Sequence, residues 1–507
     1  GAVVDPPRPD GGYPHKHPSG VGVAFKLAAA LSGSQEDILA RYADMVCLGT
    51  VADVMPLTGE NRVFVSRGLS MFRHNPRPGI AALMAEGGCQ PEQMNASSVG
   101  YVLAPRINAA GRMGNIPVAV ELFLTQDPDR ARILAEELCR MNRERQSVES
   151  EIYAQAVQML PQGAAPAAIV LAEESWHQGV VGIVASRIAE EYGCPTFLIC
   201  LDGDRGKASS RSFGGFNLFT TLTALSDLLE SYGGHELAAG FTIARDKIPA
   251  FREAVCRLAE DYYTQDAPRT VLEADCVIPP ELFTLSNVDA LEVLEPCGNG
   301  CPKPVLMMKH LQIQRMNPVG GGKHLRLRLQ QGHYGFNAIY FSCGEEAASL
   351  AQGDLVDVAF LPQVNDYRGE RTVQMNIVDI RPSCSAPCDW GITPYHALTA
   401  DRLEPQMVPL LLPDRARLGL VWRYLSQQPE GQLRETPMCL CRKIVRWSES
   451  PMSVGMLLTC LDIFADVKLL ELSRQHKYIT IRLLPWEEKA DISKSRTMQR
   501  LMRAKEE

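Results

Sequence analysis

The stretch from Gly206 to Phe241, GKASSRSFGGFNLFTTLTALSDLLESYGGHELAAGF, carries two clusters whose residue types suit phosphate chemistry. In the first, Ala208-Ser209-Ser210-Arg211-Ser212 offers three hydroxyls, one guanidinium and a run of backbone N–H groups in a loop. Gly214 and Gly215 follow, where a backbone can take positive φ or approach a ligand closely. Asn217 then reads as the N-cap of a helix with Leu218, Leu222, Leu225 and Leu229 on one stripe. A helix N-terminus, small donors and an arginine together are what an oxyanion needs. The second cluster is a loop where that helix should stop: Gly233-Gly234-His235, then Leu237-Ala238-Ala239-Gly240. Small residues on both sides would hold His235 in a tightly packed turn. Taken singly, each cluster also fits a capped helix with a polar turn and no ligand.

At this spacing the pair SxRS and GGHxxAAG resembles the DHHA1 substrate-binding domain of the DHH phosphoesterases. The flanking sequence narrows the resemblance to the RecJ family of single-strand-specific 5′→3′ DNA exonucleases, from Gly1 to about Pro382. It implies phosphodiester hydrolysis by a metal-activated water in DNA repair and recombination, with Mn²⁺ or Mg²⁺ held by aspartates and histidines of four motifs. The fourth motif is recognisable in MVCLGTVADVMPLTGENR, where Asp53 lies in an otherwise apolar stretch. The residues alone allow a turn cap or a metal ligand there; the resemblance implies the ligand. The other three motifs, the Asp-His-His triplet included, are not found, and AVVDPPRPDGGYPH resembles the segment just downstream of that triplet. The chain therefore reads as N-terminally truncated, expected to bind single strands without degrading them alone. The resemblance implies catalytic roles for Asp53 and His235 and phosphate contacts at Ser209, Arg211, Gly233 and Gly234. It adds Arg106, Asn108 and Arg112, which sit around a small-residue turn in APRINAAGRMGN.

The elements that must position these groups can be read from pattern. Ser19 caps a helix from about Gly20 to Leu31, and Ile38 to Met45 suggests another. Asp127-Pro128 opens a long polar helix to about Leu160, whose sparse apolar stripe is interrupted by Arg145; such a helix usually bridges domains. Ala167–Ala172, Val180–Tyr192 and Thr196–Leu201 form a strand–helix–strand unit with parallel pairing. His177 falls at the C-terminal end of its first strand, where open α/β sheets bind ligands, and is a candidate phosphate contact. An amphipathic helix from Asp246 to Tyr263 closes the unit.

From about Ala267 the texture changes to strands. In HLRLRL, Leu325, Leu327 and Leu329 share one face and Arg326 and Arg328 the other. With Tyr334, Phe336 and Tyr340 nearby, this suits an OB-fold in which bases stack on rings beside a basic groove; a barrel that only braces its neighbours is the alternative. Its position after the DHHA1-like unit agrees with the resemblance. Beyond Pro382 come a Pro- and Cys-containing linker, helices around Leu418–Leu425 and Met456–Phe464, and a hairpin with Gln475-His476 at its tip, which resemble a winged helix. Arg442, Lys443 and Arg446 beside Trp447 could touch DNA or form a solvated basic turn.

The fold expected is thus an α/β and β multidomain chain. Residues 1–124 form the C-terminal part of a DHH α/β domain, 125–162 a connector helix and 163–266 the DHHA1 α/β domain. Residues 267–382 form the OB-fold barrel and 383–507 a winged-helix-like C-terminal domain. A length of 507 residues suits several domains. A net charge of −8 argues against indiscriminate nucleic-acid binding but leaves room for a local basic groove. No apolar run approaches the roughly 18 residues of a membrane span. Fifteen cysteines without a C-x-x-C pair favour reduced cytosolic thiols over structural zinc. The expected partner is single-stranded DNA with a 5′ end, bound by a cytoplasmic monomer. Repair or replication proteins would dock on the C-terminal domain. Two other readings stand beside this one: an oligonucleotide or cyclic-dinucleotide phosphodiesterase, counted against by residues 267–507, and a non-catalytic strand-binding scaffold.

Overall fold

In the computed structural model the described residues are 4–6, 8, 12–160, 166–265, 271–343, 350–367, 369–383, 391–428, 432–475, 478–485 and 490–506. Parts of the AVVDPPRPDGGYPH segment, the linker cysteines Cys384 and Cys388, and His476 at the hairpin tip lie outside them.

The first unit is helical among its described residues. It comprises α1 (Gly20–Ser32), α2 (Gln35–Ala52), α3 (Gly59–His74), α4 (Pro78–Glu86) and the short α5 (Ala96–Ser98). A π-helical turn at Val99–Leu103 leads into α6 (Ala104–Arg112), and α7 (Ile116–Leu124) follows. Ser19 caps α1 as its sequence predicts, its hydroxyl accepting from Gly22 N–H at 3.1 Å. The segment read as a small-residue turn, APRINAAGR, is instead helix α6. Ala109 and Ala110 let it pack closely against the core around Phe72, Leu103 and Leu122.

Helix α8 (Pro128–Met159) does bridge two cores. Leu134, Leu138 and Met141 pack into the first unit, and Ile152 and Ala156 pack with Trp176 and Val180 of the next. That next unit is a five-stranded sheet in the order β1-β2-β3-β5-β4, from β1 (Ile169–Glu173), β2 (Thr196–Asp202), β3 (Arg205–Arg211), β4 (Leu229–Gly234) and β5 (Ala238–Ala244). β1 and β2 run parallel around α9 (Gln178–Tyr192), as expected, and the remaining pairs are antiparallel. The helix at Asn217 is shorter than its leucine stripe suggested. Asn217 does cap it, but α10 ends at Ala224, and Leu229 onward forms β4. Pairing with β5 overrides local propensity there, because β5 would otherwise present an open edge. α11 (Ile248–Gln265) covers the far face.

After β6 (Cys276–Val277) and α12 (Leu285–Ala290), five strands close a barrel: β7 (Leu306–Val319), β8 (His324–Gln331), β9 (Tyr334–Tyr340), β10 (Leu355–Tyr367) and β11 (Glu370–Pro382). Parallel β9–β11 and antiparallel β7–β10 pairings complete the closure of an OB-like barrel. Leu325, Leu327 and Leu329 point inward, as their alternation requires.

The last unit orders its elements as α13 (Ile392–Thr399), α14 (Val408–Leu411), α15 (Arg415–Ser426), β12 (Gln432–Glu435), α16 (Pro437–Ser448), α17 (Val454–Asp466), β13 (Leu470–Gln475), β14 (Tyr478–Leu483) and α18 (Arg496–Glu506). Its sheet runs β12-β14-β13. Among the described residues no helix is long and apolar enough to cross a membrane.

Candidate phosphate site and nucleic-acid interface

The SxRS segment is the end of a strand, β3, with Ser212 just past it, and not a loop. Its alternation sends the three hydroxyls to different fates. Ser210 is buried and donates to Ala239 O at 2.7 Å, and Ser212 donates to Phe216 O at 2.6 Å. Only Ser209 and Arg211 face α9, where Arg211 Nη1 donates to Ser209 Oγ at 3.2 Å and to Ser210 O at 2.8 Å. Gly182 of α9 makes the room. A Cβ there would lie 2.8 Å from Ser209 Oγ and 3.0 Å from Arg211 Nη2.

Across this gap stands the C-terminus of α6. Arg112 Nη1 donates to Gly179 O at 2.8 Å, which ties the first unit to the first turn of α9. Desolvation and then the like charge of Arg112 draw Arg211 below the ordinary arginine value. Desolvation and the charge of Arg145 do the same to Arg112, with Glu149 opposing. Arg145 was not among the expected site residues. It is buried on α8 and held by Glu149 Oε2 at 2.5 Å and Asn142 Oδ1 at 2.7 Å. The signal was there as an arginine breaking an apolar stripe.

Other expected residues are placed differently. Arg106 and Asn108 are two residues apart on a helix, about 200° around its axis, so they face different ways. Arg106 bonds Val102 O (2.6 Å) and Cys139 Sγ (3.3 Å) and lines a cleft of about 530 Å³ with Arg143 and Arg145. Asn108 is exposed on the α6 face that also carries Arg112. His177 caps α9, its Nδ1 accepting from Gly179 N–H at 3.1 Å, so a local structural role accounts for one ring nitrogen. The second cluster is the end of β4, the start of β5 and the short loop 235–237 that joins them. His235 is exposed in it, its Nδ1 accepting from Leu237 N–H at 3.3 Å, and is less enclosed than the small flanking residues suggested. Gly234 (φ 138°) is demanded by packing, since a Cβ would meet Ala238 O at 2.5 Å, whereas a Cβ on Gly233 would meet nothing within 4 Å. Gly233 thus opens the floor beside Gly240 and Ser209, its neighbours across the sheet.

Asp53 ends α2, its N–H donating to Gly49 O at 3.0 Å, while its exposed carboxylate accepts no hydrogen bond among the described residues. It fits as one ligand for a hard cation. Among the described residues no group of three or more His, Cys, Asp or Glu converges. Mg²⁺ asks for near-octahedral oxygen coordination, so this residue set does not by itself make the site.

On the barrel, Arg326 and Arg328 point outward as expected, and Arg328 donates to Asn337 Oδ1 at 2.9 Å. A bulge between Ile313 and Arg315 sets Arg315 opposite Arg328, a third exposed guanidinium that pattern reading missed. The aromatic part of the expectation is corrected. Phe336 and Tyr340 lie in the barrel core, and Tyr334, on the same alternation, packs against that core with His333 stacked 4.0 Å away. The basic face carries no ring among the three. Arg442, Lys443 and Arg446 are likewise not set out for DNA: Lys443 pairs with Glu435, and Arg446 bridges to Asp354 of the barrel at 3.0 Å. Arg442 is buried near Asp354 and Asp379.

A mixed five-stranded sheet with Arg211 on its central strand, followed by a closed five-stranded barrel, defines an α/β unit joined to an OB-like fold. Family models agree, the DHHA1 domain matching residues 165–261 and the RecJ OB domain residues 274–379. The chain is 34% identical over 382 residues to the single-stranded-DNA-specific exonuclease RecJ of Bacillus subtilis and 33% identical over 406 residues to that of Dickeya dadantii, covering 75% of this chain in each case. The chain belongs to the RecJ family. It spans 48% of the Bacillus relative and 70% of the Dickeya one. Two solved structures of Thermus thermophilus RecJ, in complex with Mg²⁺ and with Mn²⁺, match 74% of this chain with a TM-score of 0.64 at 33% and 34% identity, covering 57% and 55% of those chains.

Proposed function

We propose that this chain is the strand-gripping portion of a metal-dependent 5′→3′ exonuclease acting on single-stranded DNA in repair and recombination. In this reading it is monomeric and cytoplasmic. The observation that carries the reading is the pair Arg112 and Arg211. Arg211 is half-buried beside Ser209 and the side-chain-free Gly182, and the like charge of Arg112, anchored on Gly179 O, bears on it. Like charges held together are costly until an anion sits between them, and a terminal phosphate supplies that charge with oxygens for bidentate bonds. Bound Mn²⁺ or Mg²⁺ would supply an activated water; Asp53 would be one of its ligands, and His235 would stand at the substrate side of the sheet. The domain boundaries expected from sequence are kept.

The barrel face of Arg315, Arg326 and Arg328 would follow the strand electrostatically. For residues 383–507, the order α15-β12-α16-α17-β13-β14 with sheet order β12-β14-β13 supports a winged-helix-like platform. Ten of the 13 residues of α17 are buried, so that helix is no groove reader, which favours a protein partner from repair or replication. The test is binding of 5′-phosphorylated against 5′-hydroxyl single strands to the 507-residue chain. Preference for the phosphate, lost in Arg211→Ala, supports the reading, and equal binding to both ends overturns it.

A further inference from the structure

Arg62, on the first turn of α3, spends its guanidinium on a segment 232 to 239 residues away. Nη1 donates to Pro296 O at 2.9 Å and Cys301 Sγ at 3.0 Å, and Nη2 donates to Leu294 O at 2.8 Å and Glu295 O at 3.3 Å. The same segment reaches the turn just after Asp53. Leu57 N–H donates to Asn299 O at 2.6 Å, and Asn299 Nδ2 donates to Val54 O at 2.7 Å. The loop is closed on itself, with Gly298 N–H to Cys301 O at 2.8 Å and Cys301 N–H to Gly298 O at 3.1 Å. It is also seated tightly. A Cβ on Gly298 would lie 2.7 Å from Leu57 Cδ1, and one on Gly300 (φ 70°) 3.1 Å from Pro56 Cβ.

What the segment holds is a strained turn. Val54, directly after Asp53, has φ 54°. Left-handed backbone is unfavourable for a β-branched residue and persists only where the surroundings over-determine it. Asn299, on Val54's own carbonyl, is such a determinant, and Arg62 fixes the loop from which Asn299 reaches. Nothing in the first unit's sequence dictates this; the tie comes from residues leading into the barrel at Leu306.

We infer that the Leu294–Cys301 loop is a strut that holds the Val54 turn and thereby aims Asp53, with Arg62 and Asn299 as positioning residues acting through it. The inference rests on the proposed place of Asp53 in the site, but its test needs neither DNA nor metal. Hydrogen–deuterium exchange is followed at Leu57 and its neighbours in the 507-residue chain, with β3 and β5 as internal reference. Asn299→Ala, and the isosteric Asn299→Asp whose oxygens cannot donate to a carbonyl, should each speed exchange roughly five- to tenfold, the scale of one broken hydrogen bond. Arg62→Met should do at least as much. Val54→Gly, which removes the left-handed penalty, should largely cancel the effect of Asn299→Ala when the two are combined. Unchanged exchange in Asn299→Ala and Asn299→Asp, or an equally large Asn299→Ala effect in the Val54→Gly background, overturns the strut. If the strut holds while end-phosphate preference fails, the functional reading falls instead.

Discussion

The molecule carries two sets of arginines that differ in how they are held. Around the C-terminal end of α6, Arg145 is buried and Arg211 half-buried, Arg112 is tied to Gly179 O, and the like charge of Arg112 bears on Arg211. On the barrel, Arg315 and Arg326 stand in solvent, and Arg328, also exposed, is steadied by Asn337. Desolvated, pre-positioned guanidiniums discriminate, because an anion there gains short charge-assisted bonds that water cannot replace. Solvated ones attract without selecting, and salt screens them. On the proposed reading, one region would recognise a single phosphate and the other would follow a backbone.

The largest expected effect tests the first half of that contrast. Arg211→Ala should weaken binding of a 5′-phosphorylated strand by about 1.5–3 kcal/mol, the scale of a hydrogen bond to a charged group. Arg211→Lys should rescue little, since one ammonium cannot reproduce a planar fork. Titration of phosphorylated and unphosphorylated oligonucleotides measures both. A smaller loss, about 1–2 kcal/mol on the scale of a disturbed charge-assisted bond, is expected from Gly182→Ala. Its methyl would enter the space between Ser209 Oγ and Arg211 Nη2, both ends of side chains that can yield. Unchanged melting without phosphate preference would place that gap in the site, whereas unchanged binding would remove Gly182 from it.

How much of this the sequence disclosed depends on the range of the forces involved. Caps were legible because they are local: Ser19, Asp127 and Asn217 all cap their helices. The βαβ unit and the inward leucines of β8 could be read from period alone. Ser209 and Arg211 were legible as types, but the strand that turns Ser210 and Ser212 away from them was not, because β3 exists only by pairing with β2 and β5. The same non-local pairing ended α10 at Ala224. Arg145 looked like an interruption because its burial depends on what packs against α8, which local pattern does not show. Arg315 needed a bulge, and the loop at Asn299 needed a partner 245 residues away, which no local pattern records.

The second half of the contrast predicts a change of slope more than of affinity. Arg326→Ala and Arg328→Ala should each cost about 0.5–1 kcal/mol at low salt, consistent with exposed charges. Each should also flatten the dependence of log affinity on log salt by about 0.7 for every phosphate no longer neutralised. Preference for the 5′-phosphate should be untouched in both. A loss of that preference, or a salt slope equal to the parent's, would erase the distinction between the two sets.

The smallest expected effect concerns a third set of cations, on α16. Arg446 bridges to Asp354 at the barrel with both side chains substantially exposed, at 42% and 31%. Such pairs contribute about 0–1 kcal/mol, since water and side-chain entropy offset most of the attraction. Arg446→Ala should therefore lower stability by about 0.5 kcal/mol or less and leave the salt slope of strand binding at its parent value. That second measurement decides between two readings of the same residue. If Arg446 touched the strand, its removal would lower the slope as Arg326→Ala does; if it ties the last unit to the barrel, only the thermal midpoint moves. In an Asp354→Asn background, Arg446→Ala should then cost nothing further, because that ion pair is already gone, whatever Asp354 contributes through Ala351 N–H and Arg442.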